Sequence, residues 1–442
     1  MGHDGLPEYR GLELLGGRLP AQMEAWPKFE TRRKLDASGD FYDISREELR
    51  EYAEAKLWVW PGRTIFFVCD QHADTEAFFR SLLATGGVVK TGSQDSDFEL
   101  TPSGREAVFV IGGDCLDKGP NNLRLLRAIR LLIDRGADVD ILAGNHDVRA
   151  LVGLEYMGRK EPWLAHLFIR MGKKSIPLFK EIHDAYGKNT AADVPDEAQM
   201  RDLFFPDASW FEAFPRAVMG FLSEKKIQRE VVRIREKIEE FESRRQELGL
   251  SLGQIYAAAR KARELFLDPQ GDFHWFFARM RLARREGSFL FIHAGVDDLI
   301  AGQIRGDGVD RLNERFRELV QGDLFELYHG PVGNAFRTKY RDSDLPFTTQ
   351  GVQDMRLAGI HAIVHGHRCI PRGQRLVLRN GLLNVECDAT VDCNSRRLLE
   401  LEGVGGAATI LRTDGTIIAI STDYPYVKAL DARGLTASTI VQ

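Results

Sequence analysis

The chain has few cysteines, no surplus of basic residues and no long apolar run, and each shortage excludes something. Its five cysteines (Cys69, Cys115, Cys369, Cys387 and Cys393) are odd in number and lack C-x-x-C spacing, which argues against a disulfide framework and against a structural zinc knuckle. A reducing cytosol is the expected compartment. A net charge of −5 over 442 residues offers no cationic excess to neutralise a nucleic-acid backbone, so nucleic-acid binding is not expected. No stretch approaches the roughly 18 apolar residues that span a bilayer. The opening MGHDGLPEYRGLELLGG has no apolar core of signal-peptide length, so a cytoplasmic protein without a membrane partner is expected. Internal repeats and low-complexity tracts are also missing.

What is present falls into blocks. Residues 1–60 are mixed and charged, with a helix expected over SREELREYAEAK, where a Ser/Glu pair resembles a capping box. This block reads as an N-terminal extension. From Thr64, the runs TIFFVC, AVFVIGG and VDILAG alternate with helical stretches such as NNLRLLRAIRLLIDRG, the pattern of a layered α/β core. After Ser288 strand-like runs return in SFLFIHAG, AIVHGH and LLNVEC. ATILRTDGTIIAIS follows, with Asp414-Gly415 as a hairpin turn; these strands would supply a second sheet. The expected catalytic unit is therefore 61–147 with 288–425, followed by a tail at 426–442.

Between the two parts lies a largely helical insertion, 148–287, too long for a simple connection. Its clearest portion is a helical hairpin over 223–267. Ile227, Val231, Ile234, Ile238 and Phe241 recur at steps of four and three, and Gly249 and Ser251 give a stop and a new cap. The hairpin is expected to pack on its own chain as a substrate-selecting cap, with partner contact or self-association through it as the alternative.

Five hydrophobic runs end in residue types that bind metals. In order they carry Asp70 and His72 (VCDQHAD), Asp114 (GGDCLDKG), Asn145 and His146 (AGNHD), His293 (IHAG) and His367 (VHGHR). Ligands placed just after strands line one edge of a sheet. Two divalent ions held roughly 3.5–4 Å apart by a bridging carboxylate acidify a water and neutralise phosphoryl charge, and an Asp between two ligand sets is what that arrangement needs. Oxygen donors mixed with imidazole, and no thiolate, suit manganese, with iron or zinc as alternatives.

The ordered motifs resemble those of the calcineurin-like metallophosphoesterase superfamily, and within it the bacterial phosphoprotein phosphatase branch, whose pattern runs GDxHG, GDxxDRG, GNHE or GNHD, HGG or HAG, and a late GH. The resemblance covers the catalytic segments only. It implies a four-layered α/β/β/α sandwich and hydrolysis of phosphomonoesters by a water bridging two metals. It also implies that Asp70 and His72 hold the first metal, that Asp114 bridges, and that Asn145, His293 and His367 hold the second. His146 and Asp117 are implied as the pair that protonates the leaving group, the carboxylate raising the imidazole pKa.

Three departures stand out. The flanking glycines of the first motif are Cys69 and Ala73, and the Arg of GDxxDRG is Lys118, a point charge without a bidentate grip. Phosphate binding is therefore expected from Arg337 and Arg341, with Lys118 and Asn145 contributing and Arg149 as a weaker alternative. His365 reads as a strand-end residue, and Asp74 as a helix cap. His166, His183, His274, His329 and His361 have no motif context. A phosphorylated protein is the expected substrate. A dinucleoside polyphosphate or other nucleotide is the alternative, because GNHD with Asp147 and HAG with Ala294 also resemble diadenosine tetraphosphatases. A scaffold with a disabled centre is the third reading.

Overall fold

The computed structural model describes residues 6–30, 44–54, 56–187 and 195–433. Residues 1–5, 31–43 and 55 of the expected extension, 188–194 of the insertion and 434–442 of the tail lie outside them. The strands are β1 (Met23–Ala25), β2 (Ile65–Val68), β3 (Val88–Lys90), β4 (Phe98–Leu100), β5 (Val108–Ile111), β6 (Asp138–Leu142), β7 (Met280–Arg281) and β8 (Ala283–Glu286). They continue with β9 (Phe289–Ile292), β10 (Ala362–His365), β11 (Arg375–Arg379), β12 (Leu382–Glu386), β13 (Ala407–Leu411), β14 (Thr416–Ser421) and β15 (Val427–Asp431). One sheet has the order β1-β15-β14-β13-β2-β5-β6-β7, a second β11-β12-β10-β9-β8, and β3 pairs with β4.

Side chains alternate across each strand and so assign the layers. Ile65, Phe67, Val108 and Val110 of the first sheet share one core with Phe289, Phe291, Val364 and Val385 of the second. Phe66, Val68, Phe109 and Ile111 face the opposite way, into a core with helices Thr75–Ala84 and Asn122–Asp134. Leu290, Ile292 and Ile363 belong to that second core together with Ile300, Ile304 and Met355 of helices Asp298–Gln321 and Thr349–Leu357. The result is the expected four-layered α/β/β/α sandwich. Its central strands are buried on both faces, which is why they read as continuous apolar runs.

Local signals act where the sequence puts them. Ser45 Oγ accepts from the Glu48 amide at 3.1 Å while Glu48 Oε2 accepts from the Ser45 amide at 2.9 Å, a reciprocal capping box at the start of the Arg46–Glu54 helix. Asp74 caps Thr75–Ala84 through the Ala77 amide at 2.8 Å. Gly415, at φ +86°, turns β13 into β14.

The sheets extend past the expected block boundaries. β1, within the extension, pairs in parallel with β15, within the tail, and β7 and β8, within the insertion, join the first and second sheets. These strands are short or polar (MEA, MR, ARRE) and carry no apolar run by which to read them.

The insertion contains helices Glu224–Glu247 and Leu252–Phe266, joined by Gly249 at φ +68° and a capping box in which Ser251 accepts from the Gln254 amide at 3.1 Å. The seam faces inward. Ile227, Ile234 and Phe241 are buried, Val231 and Ile238 pack against the same core, and the Phe241 ring lies 6.2 Å from Phe168. Among the described residues no helix is long and apolar enough to cross a membrane.

Candidate metal centre

Asp70, Asp114 and Asn145 follow the carboxyl ends of the parallel strands β2, β5 and β6, and His293 and His367 follow those of the parallel strands β9 and β10. The two packed sheets thus bring loops distant in sequence to one edge. The loops take backbone shapes that ordinary residues avoid. Asp70, His72, Ala73, Asp114, Asp117, Lys118 and His367 all have φ between +42° and +72°, and such left-handed conformations cost energy that the surrounding structure must impose. Ala73 adopts this shape although it lacks the freedom of the glycine in the resembled motif. Glycine is required at two other points: a Cβ on Gly366 would collide with Asp70 Oδ2, and one on Gly144 with the Asp114 backbone and carboxylate.

The donor atoms form two groups that share Asp114. His72, Asp114 and His146 offer ligand atoms within 4.8 Å of one another, and so do Asp114, His293 and His367. Asp70 flanks the first group, with Oδ1 4.0 Å from His72 Nε2, and its carboxylate accepts from the His367 amide at 3.0 Å. His72 Nε2 is 3.7 Å from Asp114 Oδ2, and His293 Nε2 is 3.5 Å from Asp114 Oδ1.

Each histidine named as a ligand has its second nitrogen beside a backbone carbonyl. His293 Nδ1 is 2.7 Å from Gly112 O, His367 Nε2 is 3.1 Å from Arg337 O, and His72 Nδ1 is 3.5 Å from Leu116 O. Donation to these carbonyls fixes the tautomer and leaves a lone pair on the nitrogen that faces the centre. The inward atom of the Asn145 amide lies 2.8 Å from His367 Nδ1 and 3.2 Å from Asp114 Oδ2, with the outward atom 3.1 Å from Arg149. With NH2 inward the amide hydrogen-bonds both neighbours. With oxygen inward, three acceptors converge, an arrangement that a bound cation would satisfy. These residues therefore fit divalent metal ions, held by oxygen and imidazole donors.

Charge in the site is concentrated. Burial alone would raise the Asp114 pKa, but His293, His146 and His72 hold it well below the usual carboxylate range. Burial, then Asp388, push Asp70 well above that range. Lys118 Nζ lies 2.6 Å from His72 Nε2 and 3.2 Å from Ser395 Oγ. Burial opposes its charge, but Asp392, Asp114 and Asp388 prevail and raise its pKa.

His146 Nδ1 is 3.0 Å from Asp117 Oδ2, so the expected pair is in contact. The expected rise in the imidazole pKa does not occur. Burial pushes His146 well below its ordinary value, reinforced by Arg149 and Lys174, and burial lifts Asp117 to about 6. The contact sets geometry; burial, more than the neighbouring charges, sets the proton balance.

In sequence comparisons, no family profile matches the chain and no curated protein matches it. Its neighbours among solved structures include phosphatases. A cold-active protein-tyrosine phosphatase of the psychrophile Shewanella sp. is 12% identical with a TM-score of 0.41, covering 91% of this chain and 90% of that one. A protein serine/threonine phosphatase from Saccharomyces cerevisiae, with similarity to human phosphatase PP5, is 11% identical with a TM-score of 0.34, covering 90% and 89%. At such scores the likeness is one of coarse chain path, and the chemistry rests on the site's own residues.

The other named residues divide by position. Lys118, Arg149, Arg337 and Arg341 all line one pocket with the donor groups. Arg337 lies over the Tyr328 ring at 4.9 Å, whereas Arg341 sits at the rim, 3.7 Å from Asp344. His365 is outside the pocket, fully buried, with Nδ1 2.9 Å from Gly366 O.

Several residues escape a motif reading. Asp147 accepts from the amides of Asp114, Cys115 and Leu116 at 2.8, 3.0 and 2.9 Å, and so holds the loop that carries Asp114; its place directly after Asn145-His146 was the available signal. Asp388 reaches the site from the end of β12, as the strand-end acid of VECDAT. His329, Lys174 and Lys237 also line the pocket, and nothing local in the sequence marks them.

Proposed function

We propose that the protein is a metal-dependent phosphatase acting on phosphomonoesters. The observation that carries this reading is the pair of donor groups sharing Asp114, in which His72, His293 and His367 are each oriented by a backbone carbonyl and His146 by the Asp117 carboxylate. Asp70, His72 and Asp114 would hold one divalent ion, and Asp114, Asn145, His293 and His367 the other, with manganese the first choice. When bound, such ions neutralise phosphoryl charge and lower the pKa of water toward neutrality.

The chain's own groups supply the remainder. Lys118, Arg337 and Asn145 line the pocket beside the donor groups and would hold the phosphoryl oxygens. Asp117, at Nδ1 of His146, would orient the imidazole so that, once the negative charge of bound phosphate favours the imidazolium, Nε2 gives its proton to the departing oxygen and the ring returns to its neutral form. The loops after the strands are fixed by Asp147 and by close glycine contacts, so little reorganisation is needed during reaction.

A phosphorylated protein is the substrate class that the motif resemblance favours. The second reading, a nucleotide or dinucleoside polyphosphate, is favoured by the pocket. It encloses about 920 Å³ beneath the Glu224–Glu247 helix, near the upper end of small-molecule sites, which span roughly 300–1,000 Å³. A panel of phosphopeptides, 4-nitrophenyl phosphate and diadenosine tetraphosphate, run on manganese-loaded enzyme, tests both readings. Turnover of none of them would refute the proposal.

A further inference from the structure

Beside the donor groups, the pocket wall carries more positive charge than its own acids offset. Arg149 comes from the helix Asn145–Glu155, Arg170 and Lys174 from the segment Ile169–Ser175, and Lys237 from the cap helix Glu224–Glu247. Of these, Arg170 pairs with Glu230 at 2.8 Å. The neighbouring Glu240 is taken by Lys173 at 3.0 Å. Among the described residues, neither Lys174 nor Lys237 makes an ion pair with a carboxylate within 4 Å.

Lys237 is the informative member. The residue is only 9% exposed, although it sits on a helix whose outward face has ample solvent for an ammonium. Its Nζ rests directly against Gly172, which has φ +66°. Burying a lysine among other cations without a carboxylate partner is unfavourable, because its amine must either carry an unpaired charge or give up its proton, and long lysine stems ordinarily carry the charge out to water. The burial is accounted for if an anion completes the cluster.

The position of the cluster says which anion. Lys118 N donates to Lys174 O at 3.1 Å, tying this wall to the loop that bears Asp117. Arg149, Lys174 and Lys237 all lie close enough to Asp117 to favour its ionised form. Asp117 and His146 face the departing oxygen in the reaction proposed above, so the cations line the leaving-group side.

We propose that Arg149, Arg170, Lys174 and Lys237 form a second anion subsite, and that the substrate carries a further phosphate on its leaving side. The inference rests on the reading of the site as a phosphoesterase. Two sources share this chemistry: a polyphosphate chain, and a small molecule bearing two separate phosphate esters.

Calorimetric titration of the full chain, freed of metal so that chelation does not enter, tests the subsite without turnover. Inorganic tripolyphosphate should bind at least tenfold more tightly than orthophosphate. Lys237→Met should cut that preference at least fivefold and Lys237→Arg should retain it, with circular dichroism checking that both variants fold; if Lys237→Met does not fold, Lys174→Met takes its place. Tripolyphosphate stronger than fructose 1,6-bisphosphate supports the subsite with a chain as ligand, and the reverse order supports it with two separate esters. Equal affinity for tripolyphosphate and orthophosphate, or a preference untouched by Lys237→Met and Lys174→Met, overturns the proposal. Failure to hydrolyse any of phosphopeptides, 4-nitrophenyl phosphate and diadenosine tetraphosphate would instead overturn the phosphatase reading, and a surviving tripolyphosphate preference would still support the subsite.

Discussion

His146 Nδ1 and Asp117 Oδ2 stand 3.0 Å apart, both buried, at the edge where the two sheets meet. The pairing assigns Nδ1 to Asp117 and leaves Nε2 for the departing oxygen. Replacing His146 with Asn should lower kcat by about 10²- to 10⁴-fold, the usual contribution of a general acid. The loss should be small for 4-nitrophenyl phosphate, whose leaving group needs little protonation, and large for an alkyl phosphate. Asp117→Asn should show the same dependence on leaving group. Equal losses on both substrates would remove the acid role.

Lys118 competes for the site it serves. Its ammonium lies 2.6 Å from His72 Nε2, on the nitrogen that a first metal ion would need, so metal entry has to displace it. Lys118→Met should tighten manganese binding about tenfold or more by removing a neighbouring positive charge, while raising KM for phosphate esters. Titration followed by manganese electron paramagnetic resonance measures the first effect. Unchanged or weaker metal binding in the variant would contradict the competition.

Lys237 provides a pH signature. Burial, then Arg149, Arg170 and Lys174, push its pKa from 10.5 down to about 6, against the pull of Glu240. Between those values the unfolded chain holds a proton that the folded chain lacks, so this group's contribution to stability rises with pH. An anion bound beside Lys237 reverses the balance and draws a proton in. Tripolyphosphate binding at pH 7.5 should therefore take up close to one proton and strengthen as pH falls toward 6. Calorimetry in buffers of different ionisation enthalpy reads the uptake, which should vanish in Lys237→Met.

The cap is held by its seam. Phe241 is fully buried, packing near Phe168 at 6.2 Å and Phe205 at 5.9 Å. Phe241→Ala should cost about 3–5 kcal/mol of unfolding free energy, measured by urea denaturation. A cost below about 1 kcal/mol would mean that the hairpin is not docked as described.

The sequence made the donor set legible because each donor is a local event: an apolar strand, a short loop and one residue type. The hairpin was legible because Ile227, Ile234 and Phe241 keep a heptad step. Asp388 and Asp147 were harder to read, since an acid after a strand or inside a helix has many ordinary uses. Lys174 and Lys237 were not legible at all. They reach the pocket through the angle at which the cap docks, which no local pattern encodes. β1 and β7 escaped for a different reason: they complete a sheet at its edges, where pairing with a neighbour matters more than apolar content. The pKa of His146 departs from what its pairing with Asp117 implies because burial, reinforced by Arg149, outweighs a single carboxylate.

The central claim is that two donor groups sharing Asp114 hold metal ions that enable phosphate-ester hydrolysis. Its most direct test combines metal analysis with turnover in wild-type protein and Asp114→Asn. The account predicts close to two divalent ions per wild-type chain and manganese-stimulated hydrolysis of 4-nitrophenyl phosphate, with both lost in Asp114→Asn. Full activity in the variant, or in protein stripped of metal by a chelator, would contradict it.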